Sequence, residues 1–82
     1  MSHYVYIIKT KKGYKKTYVG YSTNVKNRLL KHNSSKGAKF TRGRKWKLLY
    51  YEKFSSKKEA ILRECYIKKN RKLRNSIKNK YK

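Results

Sequence analysis

Apolar positions along the chain recur first at a spacing of two. Tyr4-Val5-Tyr6-Ile7-Ile8 is aromatic and β-branched, which predicts a strand. The alternation puts Tyr4, Tyr6 and Ile8 on one face and Val5 and Ile7 on the other. Residues 9–16 are basic, with Gly13 placed to turn them, and Thr17-Tyr18-Val19-Gly20 predicts a second strand paired with the first as a hairpin. The period then lengthens. Ser22 or Thr23 is expected to cap a helix running to about Asn33, with Val25 and Leu29 as its inward stripe and Leu30 beside them. Arg28 and His32, four apart, project from one face of that helix. Residues 33–44 are polar and basic, include Gly37 and Gly43, and predict a loop; residues 47–54 return to strand character through Leu48, Leu49, Tyr50 and Tyr51.

Ser56-Lys57-Lys58-Glu59 is a capping box that opens a second helix. At about 100° per residue, Ala60, Ile61, Cys65 and Ile67 define its apolar side. Glu64 falls inside that sector, where an unpaired carboxylate is costly and calls for a cation, a metal or a proton. From Arg71, a stripe of Leu73, Ile77 and Tyr81 lies on a basic, partly formed helix. The order β-β-α-β-α, with a possible final helix, predicts an α+β fold: a small three-stranded antiparallel sheet flanked by helices. One domain is expected over residues 1–82, with a basic C-terminal helix or tail from residue 71.

Charge narrows the function classes. Lys and Arg number 26 against 3 Asp and Glu, a net charge of +23 on 82 residues. With 37% hydrophobic residues, 15% aromatic residues and no Pro, the chain is nonetheless a folding sequence rather than a disordered basic tail. So much positive charge opposes compaction and fits a polyanionic partner, nucleic acid first. A membrane surface is the weaker choice, because no basic helix here carries a broad apolar face. No run approaches the roughly 20 apolar residues of a membrane span and no signal-peptide pattern opens the chain, so a cytoplasmic or nuclear, non-secreted protein is expected. The single Cys65 excludes an internal disulfide, and with only His3 and His32 beside it, a four-ligand zinc site as well.

There is no Asp, and the acids are Glu52, Glu59 and Glu64. A two-metal site needs several convergent carboxylates, which this chain does not have. A Ser-His-Asp triad lacks its acid, and a phosphate-binding Walker loop is absent. A cation would therefore rest on one Glu plus water and substrate oxygens, a coordination that suits Mg²⁺. The plain readings of the remaining chemistry-bearing residues are structural. Glu59 caps a helix, Glu52 faces solvent, Cys65 fills the core, Trp46 anchors the end of the loop, and His32 sits at the surface of a helix end.

Tyr6, Tyr18-Val19-Gly20, Arg28 and Glu64, in that order and spacing, resemble the GIY-YIG nuclease superfamily. Tyr4-Val5-Tyr6 stands at its first motif and Tyr18-Val19-Gly20 at its second. Residues 21–32 are similar to the motif helix with its arginine. Gly37-Ala38-Lys39-Phe40-Thr41-Arg42 and Arg63-Glu64-Cys65-Tyr66-Ile67-Lys68-Lys69 are similar to the loop and the glutamate helix of small single-domain members. The resemblance spans roughly residues 4 to 72. The sequence departs from the pattern at Tyr4, where the family name has Gly, and at His32, where many members carry Tyr.

The resemblance implies hydrolysis of phosphodiester bonds with one divalent metal, Mg²⁺ or Mn²⁺. Tyr18 would be the first choice for the base and Tyr6 a supporting or alternate one. Arg28 would clamp the phosphate, His32 would position water or relay a proton, and Glu64 would hold the metal. The +23 field is expected to lower the phenol pKa values. Nucleic acid, most plausibly DNA, is the expected partner, contacted by Tyr21, Lys36, Lys39, Arg42, Arg44 and Lys45 with little base selectivity. A separate targeting subunit is conceivable, and no small-molecule cofactor is expected. The competing reading is a non-catalytic basic nucleic-acid-binding protein.

Overall fold

The alternation in the first strand organises the whole molecule. In the computed structural model, which describes residues 2–11, 16–34, 41 and 43–80, that strand is β1 (His3–Thr10). It is the centre of a three-stranded sheet of order β2-β1-β3, with β2 (Thr17–Ser22) and β3 (Trp46–Phe54) both antiparallel to it. Three helices complete the order: α1 (Val25–Asn33), α2 (Lys57–Lys69) and α3 (Arg71–Lys80). The fold is the expected α+β arrangement, and the C-terminal segment forms a full helix whose Ile77 is buried. Gly13, Tyr81 and most of the loop segment quoted above lie outside the described residues.

A central strand buried on both faces sends alternate side chains into two separate cores. Val5 and Ile7 point to one side, where Val19, Leu49, Ala60, Ile67 and Ile77 pack with them beneath α2 and α3. Tyr6 and Ile8 point to the other, where they meet Trp46, with Tyr18, Val25 and Leu29 around them beneath α1. A β-bulge between Ile7 and Ile8 sets Tyr50 opposite Ile7 and Leu48 opposite Ile8, leaving Leu49 as the extra residue. Leu49 thereby joins the first core while Leu48 stays exposed.

The helix ends differ from expectation in one place. Ser56 caps α2 as predicted, its side chain accepting from the Glu59 amide. The cap of α1 is Asn24 rather than Ser22 or Thr23. Its Oδ1 accepts from the Asn27 amide at 3.0 Å, while Ser22 Oγ accepts from the Asn24 amide one step earlier. Three cap-forming residues stand in a row here, and the shorter asparagine-capped helix wins because Ser22 is still paired in β2. Val25 and Leu29 face the sheet as expected, but Leu30 is exposed.

Two plain readings fail on α2 and β3. Cys65 is exposed, because the buried stripe of α2 consists of Ala60 and Ile67. Glu52 does not face solvent. It shares a sheet face with Val5 and points under α2, where Arg63 donates to both of its oxygens at 2.9 and 3.0 Å and the Tyr50 hydroxyl donates as well. Burial works against this carboxylate, but the Arg63 and Tyr50 hydrogen bonds with the Arg63 charge outweigh it and hold its pKa below the ordinary value. Trp46, by contrast, does anchor the loop end: it is fully buried and its Nε1 donates to the Thr41 carbonyl at 3.0 Å.

Candidate active site

The second core contains a buried polar chain. Tyr6 and His32 are 1% and 0% exposed, and the Tyr6 hydroxyl hydrogen-bonds to His32 Nε2 at 2.8 Å. His32 Nδ1 is bonded in turn to Thr41 Oγ1 at 2.9 Å. Both ring nitrogens are thereby satisfied, which is what burying an imidazole requires. Burial, reinforced by the Arg28 charge, lowers the His32 pKa, so the ring is neutral and can both donate and accept. His32 is therefore an interior residue and not the surface histidine of the plain reading.

Gly20 explains how the ring of Tyr6 fits. It lies opposite Tyr6 in the β1–β2 register, and a Cβ there would stand 2.6 Å from Tyr6 Cζ. No side chain can be accommodated without moving the phenol. The Tyr18-Val19-Gly20 motif thus has a steric reason: glycine clears the space that the first-motif tyrosine fills.

Tyr6 departs from expectation electrostatically. Burial pushes its pKa up to about 12, Arg28 pulls it back only in part, and the neighbouring Tyr18 and Glu64 add to the rise. The +23 surface field, spread through solvent, does not overcome the local loss of hydration. Tyr6 is held as a neutral phenol. In that state it serves His32 as a hydrogen-bonding partner.

The other candidate groups converge on this chain. The ring of Tyr18 stands edge-on to His32, with centroids 5.2 Å apart. Lys68 Nζ lies 6.0 Å from the Tyr18 ring centroid and 3.3 Å from Glu64 Oε2. α2 packs on the opposite face of the sheet, so Lys68 reaches Tyr18 at the β2 edge and links it to Glu64. Glu64 is also close enough to Tyr6 for its charge to be felt there, and its side chain is 16% exposed. Arg28 is half-buried beside Tyr6 and His32. Its Nε is buried with no hydrogen-bond partner, an expensive condition for a charged donor. Arg28 also lines an open hollow of about 330 Å³ shared with Asn27, Lys31 and Tyr21.

The predicted nucleic-acid contacts are dispersed. Tyr21 lies on the α2 side of the sheet, stacked on His3 at 6.0 Å with its hydroxyl bonded to His3 Nδ1 at 2.7 Å, and still reaches the rim of the Arg28 hollow. Arg44 is half-buried, and Lys45 is exposed with its ammonium donating to the Asn33 carbonyl at 3.4 Å. Lys36, Lys39 and Arg42 lie outside the described residues.

Among the described residues no three His, Cys, Asp or Glu side chains cluster as metal ligands. A divalent cation would rest on Glu64, with water and substrate oxygens completing its shell. The donor set fits a hard cation, Glu64 being a carboxylate with 16% of its side chain exposed, and such an ion would share or displace the Lys68 ammonium that holds Oε2 at 3.3 Å. Two residues that touch the candidate groups were not singled out from the sequence. Lys68, one turn after Glu64, was legible from its spacing of four. Thr41 was not, because nothing in the sequence pairs it with His32, nine residues earlier.

A family model described as the GIY-YIG catalytic domain matches residues 2–82. The chain is 52% identical over 67 residues to a UPF0213 protein of Staphylococcus haemolyticus, covering 80% of this chain and 79% of that one. It is 48% identical over 69 residues to a UPF0213 protein of Bacillus licheniformis, covering 83% and 69%. The solution NMR structure of a UPF0213 protein from Bacillus halodurans superposes with a TM-score of 0.56 at 43% identity, covering 94% of this chain and 82% of that one.

Proposed function

Because the chain belongs to the GIY-YIG family, whose model it matches from residue 2 to 82, we propose that it is a metal-dependent DNA endonuclease acting at the Arg28 hollow beside the buried Tyr6–His32 pair. The observation that carries the reading is the half-buried Arg28 guanidinium, held beside Tyr6 and His32 while it lines an open hollow with Asn27 and Lys31. A guanidinium fork presented to such a hollow fits phosphate oxygens.

Hydrolysis needs water deprotonated, the phosphoryl charge met and the leaving oxygen neutralised. Arg28 meets the charge that builds on the non-bridging oxygens. Tyr18, at the β2 edge in a hollow it lines with Thr17, Val19, Lys68 and Arg74, acts in its phenolate form and takes the proton of the attacking water. The water oxygen bonds to phosphorus as the bond to the 3′ oxygen breaks, and the proton is returned to that oxygen. Neutral Tyr6 and neutral His32 fix the geometry, since a phenol and an imidazole locked by one hydrogen bond hold Arg28 and Tyr18 in register. Thr41 fixes the imidazole from behind. A divalent ion on Glu64 would supply Lewis-acid stabilisation of the departing oxygen.

The test is cleavage of labelled single-stranded, duplex and branched DNA with Mg²⁺ or Mn²⁺. Wild type is expected to cut, while Arg28→Ala and Glu64→Ala bind and lose cleavage by about 100-fold or more. Binding without cleavage by wild type on every substrate and metal would leave the non-catalytic nucleic-acid-binding reading in its place.

A further inference from the structure

A second hollow lies on the same sheet face as Tyr6, on the β3 side. It encloses about 530 Å³ between the start of α1 and the sheet, lined chiefly by Tyr4, Val25, Lys26, Leu29, Leu48 and Tyr51. Tyr51 pairs with Tyr6 in the β1–β3 register, and Leu48 pairs with Ile8. The groove shares Thr23 and Asn24 with the Arg28 hollow, so the two adjoin at the start of α1. Tyr51 and Leu48 are 54% and 38% exposed, and Tyr51 is braced edge-on by Tyr4 at 5.9 Å.

Exposed apolar surface on a chain of charge +23 needs an occupant that is flat and apolar yet anionic. Another copy of this chain is repelled by its charge. A nucleobase on its phosphate backbone meets both conditions: the base stacks on the tyrosine and the phosphates face lysines. Lys26 lines the groove, and Lys53 stands opposite Tyr4 on the same face. In a duplex the base faces are hidden, so a base entering this groove must be unpaired.

We propose that the Tyr51–Leu48 groove binds an unpaired base of the substrate strand next to the cleaved phosphate, so that the protein selects nucleic acid with single-stranded character. This inference rests on the nuclease reading, and its test is kept separate from cleavage. Binding of a fluorescein-labelled oligothymidine and of a duplex of equal length is measured by anisotropy in EDTA. Tyr51→Ala is expected to weaken single-strand binding by about 5–30-fold and duplex binding by less than about 2-fold, with an unchanged melting temperature. Tyr51→Trp is expected to retain single-strand binding and to show new fluorescence quenched by the oligonucleotide. Equal losses on both substrates, no loss on either, or an unquenched tryptophan would overturn the proposal. A wild type that shows the Tyr51 dependence but cuts no DNA when metal is added would instead overturn the nuclease reading alone.

Discussion

The two faces of the central strand are built on different physics. Beneath α2 and α3, Val5, Ile7, Val19, Leu49, Ala60, Ile67 and Ile77 form an apolar core, closed at its rim by the Arg63–Glu52–Tyr50 group. Beneath α1, Tyr6, His32 and Thr41 are buried together, and an arginine nitrogen is left without a partner beside them. Apolar contacts are satisfied in themselves, whereas a buried polar chain is stable only when complete. The α2 face is held by apolar contact, while the α1 face adds buried polar groups to a smaller apolar core of Ile8, Trp46, Val25 and Leu29. The α1 face holds groups in place that the fold alone does not need.

That division predicts where substitutions act. The largest effect on stability should come from the α2 face. Ile67→Ala, at a position with no exposure, is expected to cost about 2–5 kcal/mol in urea unfolding, enough to unfold a chain of this size in part. A loss under about 1 kcal/mol would mean that this core is not the main support.

On the α1 face, Tyr6→Phe keeps the ring and removes the hydroxyl, leaving His32 Nε2 unpaired at a cost of about 1–3 kcal/mol near neutral pH. Its pH dependence has a definite sign. The folded-state pKa of Tyr6 is raised from 10.0 to about 12, so its contribution is whole below pH 10 and is lost as pH rises toward 12. The gap between wild type and Tyr6→Phe should narrow over that window, and a gap that widens would contradict the assignment of a buried neutral phenol.

The smallest effect belongs to the rim. Glu52→Gln is expected to cost about 1 kcal/mol, since Arg63 and Tyr50 keep part of their bonding. The pKa of Glu52 is depressed below 4.5, so its contribution is present above that value and lost as pH falls through the lower, folded-state pKa. Wild type and variant should therefore converge in acid.

The contrast also separates what was legible in the sequence from what was not. Strand alternation assigned Val5 and Ile7 to one core and Tyr6 and Ile8 to the other, because a period of two is a property of the backbone. The α2 cap at Ser56 and the spacing of Arg28 and His32 are likewise local, and were readable. The Glu52–Arg63 pair was not, because its partners sit 11 residues apart on different elements. The neutral state of Tyr6 escaped for a related reason. Net charge is a sum over composition, but desolvation depends on what the fold stacks around a single oxygen. The side chain of Gly20 that is missing, and the one of Thr41 that is needed, acquire meaning only once Tyr6 and His32 are seen in contact.

The central claim is that the polar face cuts DNA with Tyr18, not Tyr6, as the group receiving the proton. Single-turnover cleavage of labelled single-stranded and branched DNA in Mn²⁺ compares wild type with Tyr18→Phe at equal occupancy. The account predicts that wild type cuts and that Tyr18→Phe is slower by about 100-fold or more. Cleavage by Tyr18→Phe at the wild-type rate would contradict it.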